Sequence, residues 1–267
     1  MDHDYAAHYS NLEDQHWWWV GRRELIRRQL ARLPLTPRAR LLELGCGSGG
    51  NLVMLGAFGT VSAIEPDAGL RAHAETRGAA HVLAGAFPLG PLLADERFDV
   101  IGMFDVLEHL DDDVGALREV AMRLASSGYA VLTVPAYQWL WSHHDTLNHH
   151  RRRYTRRSLI RVVRAAGLEV VHATYFNAAL FPAAAAVRLL ERVLGAGRAA
   201  ALQVRIPPGN AVLAHLLAAE AGVATRTGLP VGLSVLLVAR VPHKSGGAAP
   251  QAGAHGPSVD ASVAVAL

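Results

Sequence analysis

The residues best placed for chemistry form an acid-bearing glycine turn, Glu43-Leu44-Gly45-Cys46-Gly47-Ser48-Gly49-Gly50-Asn51, preceded by the apolar run Leu41-Leu42. An apolar run, an acid, a glycine-rich turn and a residue able to start a helix describe a buried parallel strand bending tightly into a helix, with a ligand in the crook. Glycines accept positive φ there and let backbone N–H groups approach a ligand. Two patterns fit the turn. Gly45, Gly47 and Gly50 satisfy G-x-G-x-x-G, and Glu65 follows about 20 residues after the turn, which permits a dinucleotide site. Glu43, Gly45, Gly47 and Gly49 satisfy acid-x-Gly-x-Gly-x-Gly. An acid at the end of the strand would repel a pyrophosphate and suits a cationic ligand.

Glu65-Pro66 follows a second apolar segment and can accept hydrogen bonds from both hydroxyls of a ribose. Phe98-Asp99-Val100-Ile101 and Phe104-Asp105-Val106-Leu107-Glu108-His109-Leu110 place another acid, Asp105, at the end of a later strand. S-adenosylmethionine, with its sulfonium and ammonium and without phosphate, suits this set better than a nicotinamide dinucleotide. Further on, His143, His144, Asp145, His149, His150 and Tyr154 crowd one loop. Of these His144, Asp145, His150 and Tyr154, together with His109, are candidates for moving a proton. At i+4 from Asp105, His109 is expected to share a helix face with it. The ligand chemistry of His144, Asp145 and His150 suits a metal, but no helical metal-binding spacing accompanies them, and none is expected. Arg152 and Arg153 belong to a basic run, Arg151–Arg157, whose forks could read an anionic acceptor; the same run also reads as a solvated helix start capped by Thr155. Trp17, Trp18 and Trp141 are candidates to line an acceptor pocket, and Cys46, with no base beside it, reads as packing within the turn.

These residues need a scaffold. Strand patterns at residues 39–44, 60–64, 81–84, 98–104, 129–134, 168–175 and 232–241 alternate with helical patterns at 22–33, 51–57, 68–77, 112–125, 156–166, about 178–194 and about 210–222. Crossover spacing of this kind predicts an α/β, doubly wound, Rossmann-like sheet. Ligands in such sheets sit at the carboxyl ends of strands near the topological switch. The 267 residues are 51% hydrophobic, enough for a sizeable core, and carry a formal net charge of +3. Nearly every base is Arg, with Lys244 the lone Lys, so the charge speaks of composition bias rather than of nucleic acid. A single Cys excludes an intrachain disulfide framework. The N-terminus lacks an apolar signal core and no apolar run spans a membrane, so a cytoplasmic protein is expected. The Gly/Ala/Pro/Ser-rich stretch 243–267 is expected to be disordered.

Glu43–Gly49, Glu65-Pro66 and Phe98–Leu110 together resemble the motifs of class I S-adenosylmethionine-dependent methyltransferases, in the small-molecule group often called type 11. The segments around His16-Trp17-Trp18, Gly21-Arg22-Arg23 and Pro135–Thr155 resemble one bacterial branch of it. The resemblance covers roughly residues 40–170. It implies a seven-stranded sheet ordered 3-2-1-4-5-7-6 with strand 7 antiparallel, residues 1–38 as a cap or lid, residues 39–242 as the methyltransferase domain, and a helical insertion at about 177–225. It further implies S-adenosylmethionine as cofactor. Glu43, Gly45, Cys46, Gly47, Gly49 and Asn51 would shape the methionine pocket, Glu65 and Pro66 the ribose side, and Phe104 and Asp105 the sulfonium side. Where the family often carries an acid after strand 3 for the adenine amine, this chain has Gly85-Ala86-Phe87, which leaves packing on Phe87 or Leu89. The expected activity is methyl transfer to a small-molecule acceptor, with an anionic one among the options. A nucleic-acid methyltransferase, an NAD-dependent oxidoreductase and a non-catalytic S-adenosylmethionine-binding protein are the alternatives. Asp105-Val106-Leu107-Glu108 in place of an Asn/Asp-Pro-Pro-aromatic turn argues against the first, and Glu43 against the second. The helices between strands 6 and 7 could roof an acceptor pocket, form a dimer face or touch a membrane surface, and the oligomeric state stays open.

Overall fold

The computed structural model describes residues 10–194 and 206–242; the expected disordered tail lies outside the described residues. Seven strands form one sheet in the order β3-β2-β1-β4-β5-β7-β6. They are β1 (Arg40–Leu44), β2 (Thr60–Ile64), β3 (His81–Leu83), β4 (Phe98–Phe104), β5 (Leu124–Pro135), β6 (Glu169–Phe176) and β7 (Ser234–Arg240). β1 to β5 pair in parallel, and β7 runs antiparallel between β5 and β6.

The strand pleat sends alternate residues to opposite faces, and each face has its own core. In β4, Ile101 and Met103 join Leu42 and Leu44 of β1 under α4 (Asp113–Arg123) and α6 (Arg156–Ala165). Val100 and Phe104 join Leu41 on the other face, against α1 (Trp17–Leu30), α2 (Leu52–Gly56), α3 (Ala68–Thr76) and α8 (Asn210–Ala224). The remaining helices are α5 (His143–Leu147) and α7 (Phe181–Leu194). Among the described residues, no helix is long and apolar enough to cross a membrane.

Two boundaries and one shared helix face depart most from the sequence expectation. α1 begins at Trp17 rather than Arg22, because the His16 ring caps it by accepting from the Trp18 N–H at 3.2 Å, and Trp18 stacks on Phe176 with ring centroids 5.7 Å apart. β5 begins at Leu124, where an extension of the preceding helix was expected, since Leu124 pairs with Phe98 across a register irregularity. Asp105 and His109 do not share a helix face. Asp105 takes a left-handed backbone, φ +57°, and only Leu107–His109 makes a short 3-10 turn. Thr155 does cap α6, accepting from the Ser158 N–H at 3.0 Å.

The two segments outside the common sheet meet each other. A Cβ on Gly21 of α1 would lie 2.5 Å from a Leu217 side-chain carbon of α8, so the glycine permits a close helix crossing. The Trp17 N–H donates to Asn210 Oδ1 at 2.8 Å, and the Asn210 side chain returns a bond to the Gln15 carbonyl at 2.8 Å. α1 and α8 thus pack together over the β1 side of the sheet.

Candidate functional site

The site lies where β1, β2 and β4 end and the chain turns out of the sheet. Gly45, Gly47 and Gly49 all take positive φ, at +71°, +58° and +82°. At Gly45 the left-handed backbone combines with a close approach, since a Cβ would meet Val106 at 2.8 Å; at Gly49 it would meet the Ala74 backbone at 3.0 Å. Only glycine satisfies both conditions. The Gly45 N–H donates to the Ile64 carbonyl at 2.8 Å, which ties the turn to the end of β2.

Glu43 is buried, and one of its oxygens accepts from Asn51 Nδ2 at 2.6 Å. The other, Oε2, is buried without a hydrogen-bond partner. Burial raises the carboxyl to about 8, against the lowering influence of Asn51 and Arg22. Asn51 therefore orients the acid instead of capping α2, where it makes no side-chain cap bond. Glu65 accepts from the Gly47 N–H at 2.8 Å and from the Asp67 N–H at 3.0 Å. Its carboxyl is also pushed up, chiefly by burial. Asp105 accepts from Thr133 Oγ1 at 3.2 Å and pairs with Arg22. Cys46 is buried, and burial pushes its thiol far above the ordinary range, so it is packing and not a nucleophile.

A roof from the N-terminal segment closes this turn. Arg23 donates to the Gly50 carbonyl and to the Glu13 carbonyl, both at 2.9 Å, and the Glu13 carboxylate takes the Ser48 hydroxyl. Arg77 donates to the Ser48 carbonyl at 2.7 Å and pairs with Asp14 at 3.0 Å. Glu13 and Arg77 were not singled out from the sequence, and Arg22 and Arg23 entered only as part of the resemblance, without a role. A signal existed for Arg22, which lies three and four residues before Leu25 and Ile26 and so on the apolar stripe of α1.

The strand-5 loop divides the other candidates. Asp145 is fully buried; Arg153 grips both its oxygens, at 2.7 and 3.0 Å, and the Ser142 N–H donates to it at 2.8 Å. Its Oδ1 faces His150 Nδ1 at 2.9 Å. Burial raises the Asp145 carboxyl, but the bonds from His150 and Arg153 outweigh that and hold it well below the usual range. An ionised carboxylate only accepts, so His150 carries its proton on Nδ1, leaving Nε2 as the basic nitrogen. The His109 ring packs edge-on to the His150 ring at 4.7 Å, and the His144 ring lies 6.5 Å from it.

Arg152 donates to Asp113 at 3.1 Å and to the carbonyls of Leu110 and Asp111. Tyr154, also buried, donates its hydroxyl to Asp113 at 2.8 Å. Arg152 and Tyr154 therefore anchor the loop to α4 and the segment just before it, Arg153 ties it to Asp145 of α5 and to the Ala136 carbonyl, and both arginine forks are met by protein carboxylates. Trp17 and Trp18 pack against the β1-side core, as Phe104 does, and Trp141 Nε1 bonds Thr146 Oγ1 at 3.2 Å. Phe87 and Leu89 pack on the opposite core, and the Pro66 ring is exposed.

A family model described as a methyltransferase domain matches residues 18–173, more than half of the chain. The chain belongs to this methyltransferase family. The donor of the class is S-adenosylmethionine, and the partnerless oxygen of Glu43 beside a turn that only glycine can make fits a cationic ligand held close to the backbone. No curated protein matches the chain. Among solved structures, a chain from the complex between the Haloferax volcanii Trm112 methyltransferase activator and a candidate methyltransferase is 20% identical, with TM-score 0.59 over 90% of this chain and 95% of that one. A TehB-like S-adenosylmethionine-dependent methyltransferase from Corynebacterium glutamicum is 18% identical, with TM-score 0.54 over 90% and 97%. The glycopeptide N-methyltransferase MtfA, solved with S-adenosylmethionine, is 15% identical, with TM-score 0.52 over 82% and 94%. At these identities the structural likeness carries the fold.

One consequence of the methyltransferase's buried acid is measurable. Below pH 8 Glu43 holds a proton, and a bound cation favours its carboxylate, so binding must displace that proton. Cofactor affinity should therefore rise between about pH 5.5 and 7.5, by up to roughly tenfold per pH unit, and Glu43→Gln should flatten the profile. Calorimetry across that range checks this; a flat wild-type profile would mean that Glu43 does not feel the cofactor's charge.

Proposed function

We propose that this enzyme methylates a small-molecule acceptor, with the donor held by Glu43, Glu65 and Asp105 and the acceptor entering between Asp105, the 3-10 turn that carries His109 and the strand-5 loop that carries His150. The observation that carries this is the enclosure of the glycine turn. Glu13, Arg22 and Arg23 reach across it from the N-terminal segment, and a roofed site suits a compact acceptor better than a duplex or a protein surface. When bound, S-adenosylmethionine supplies a methyl group on a sulfonium, which leaves in line as the thioether departs neutral.

The chain's own work is alignment and exclusion of water. Glu43 and Asp105 favour positive charge, and Glu65, between two backbone N–H groups, is placed to exchange those bonds for ribose hydroxyls. Asp145 fixes the His150 ring so that Nε2 faces away from it, available to the acceptor side. Burial and the neighbouring His150 lower the pKa of His109, which keeps that ring neutral near pH 7. Tyr137, Trp139, Tyr175 and Phe181 form an aromatic group beside the loop, with the Tyr137 and Tyr175 rings stacked at 5.1 Å, and offer apolar surface for an acceptor. An anionic group on the acceptor is not part of the proposal, because Arg152 and Arg153 are already matched. We place the enzyme in the cytoplasm, in keeping with its lone buried thiol.

The test is transfer of a labelled methyl group from S-adenosylmethionine into size-fractionated cell extract. Label in the low-molecular-weight fraction is expected; label confined to protein or nucleic acid would replace the small-molecule reading.

A further inference from the structure

Glu108 is fully buried, and neither of its carboxylate oxygens has a hydrogen-bond partner. Buried polar atoms left without partners are uncommon and costly, and an ion missing from view is one standard explanation.

The surroundings supply what a cation would need. One oxygen of Glu108, one ring nitrogen of His109 and one of His150 lie within 4.8 Å of one another. Two imidazoles and one carboxylate around a common point are the donor set of an open divalent transition-metal site, which leaves positions for water or a substrate. His150 Nδ1 is held by Asp145 at 2.9 Å and Asp145 by Arg153, the carboxylate–histidine arrangement that fixes a ligand's tautomer and orientation. The Arg151 N–H donates to the Glu108 carbonyl at 2.7 Å, pinning the His150 segment to the Glu108 turn.

We propose that Glu108, His109 and His150 bind one divalent transition-metal ion, of the Zn²⁺ or Co²⁺ kind rather than Mg²⁺. Its open positions face the acceptor side of the site, where an oxygen or nitrogen of the acceptor would coordinate. This last role rests on the methyltransferase reading; the metal site itself does not. It also replaces the expectation, drawn from spacing alone, that the chain holds no metal. His150 lies 41 and 42 residues after His109 and Glu108, and only folding brings the donors together.

The full chain, stripped with chelator and desalted, is titrated with Co²⁺ and followed by visible absorption, and Zn²⁺ content is measured after re-loading. One ion per chain is expected, unaffected by excess Mg²⁺. Glu108→Gln and His150→Ala should each weaken binding at least tenfold, whereas His143→Ala and His149→Ala, which change exposed histidines of the same loop, should not. Affinity for S-adenosylmethionine is measured on the same samples. In the variants, metal binding lost with cofactor binding intact assigns the site; in the wild-type chain, metal binding without S-adenosylmethionine binding would count against the methyltransferase reading and leave the metal standing. Circular dichroism checks each variant's fold, and if Glu108→Gln does not fold, His150→Ala with the wild-type stoichiometry decides. Less than one ion per stripped wild-type chain, or undiminished binding in His150→Ala, overturns the proposal.

Discussion

Glu65→Ala should weaken binding of S-adenosylmethionine by about 1–3 kcal/mol, roughly five- to 150-fold. The carboxylate is buried at the end of β2 and already receives two backbone N–H groups, from Gly47 and Asp67. A ribose would offer two hydroxyls to the same oxygens, and bonds to an ionised acceptor are the stronger kind. The substitution also frees the Gly47 N–H and loosens the turn, so the loss should exceed that of one neutral hydrogen bond. Glu65→Gln keeps shape and loses charge, and should fall between the two. Calorimetric titration measures both; an unchanged dissociation constant in Glu65→Ala would remove this residue from the cofactor site.

Asp145→Ala should cost the fold about 3–5 kcal/mol, the expected loss when one partner of a buried ion pair is removed. Asp145 is wholly buried, and the substitution would strand Arg153, whose side chain is only 12% exposed, together with His150. Asp145→Asn retains a partner for the Ser142 N–H and should cost less. Urea denaturation provides the comparison, and a loss below about 1 kcal/mol would show that the loop relaxes around the gap. The sign with pH follows from the depressed carboxyl. Its stabilisation is complete above the unfolded pKa near 3.9 and is lost on acidification as the pH falls toward the lower folded value. The same change should reduce methyl transfer by more than the lost stability accounts for, because His150 loses its orienting partner.

The parts legible in the sequence were those where local pattern and tertiary role agree. Leu41, Leu42 and Leu44, and Val100–Phe104, are apolar on both sides because both faces of a central parallel strand are buried, and the strand order came from the resemblance that Glu43, Glu65 and Asp105 support. The roof was not legible. Glu13, Arg22 and Arg23 have the residue types of a solvated helix face, and only the folded chain shows that Ser48, Asp105 and Gly50 meet them. Glu108 had no role in the sequence reading, because nothing local shows that the short 3-10 turn buries it. The Arg151–Arg157 run suggested an anion because a sequence does not reveal that Asp113 and Asp145 are its partners. β5 was begun too late, since pairing of Leu124 with Phe98 overrode a helical pattern at its N-terminal end.

The most direct test of the cofactor site is a calorimetric titration of the wild-type chain with S-adenosylmethionine and, separately, with NAD. We expect one S-adenosylmethionine per chain with micromolar-range affinity, about −8 kcal/mol, and no heat from NAD. Binding of NAD without binding of S-adenosylmethionine would contradict the assignment of Glu43 as an acid that excludes phosphate and faces a cation.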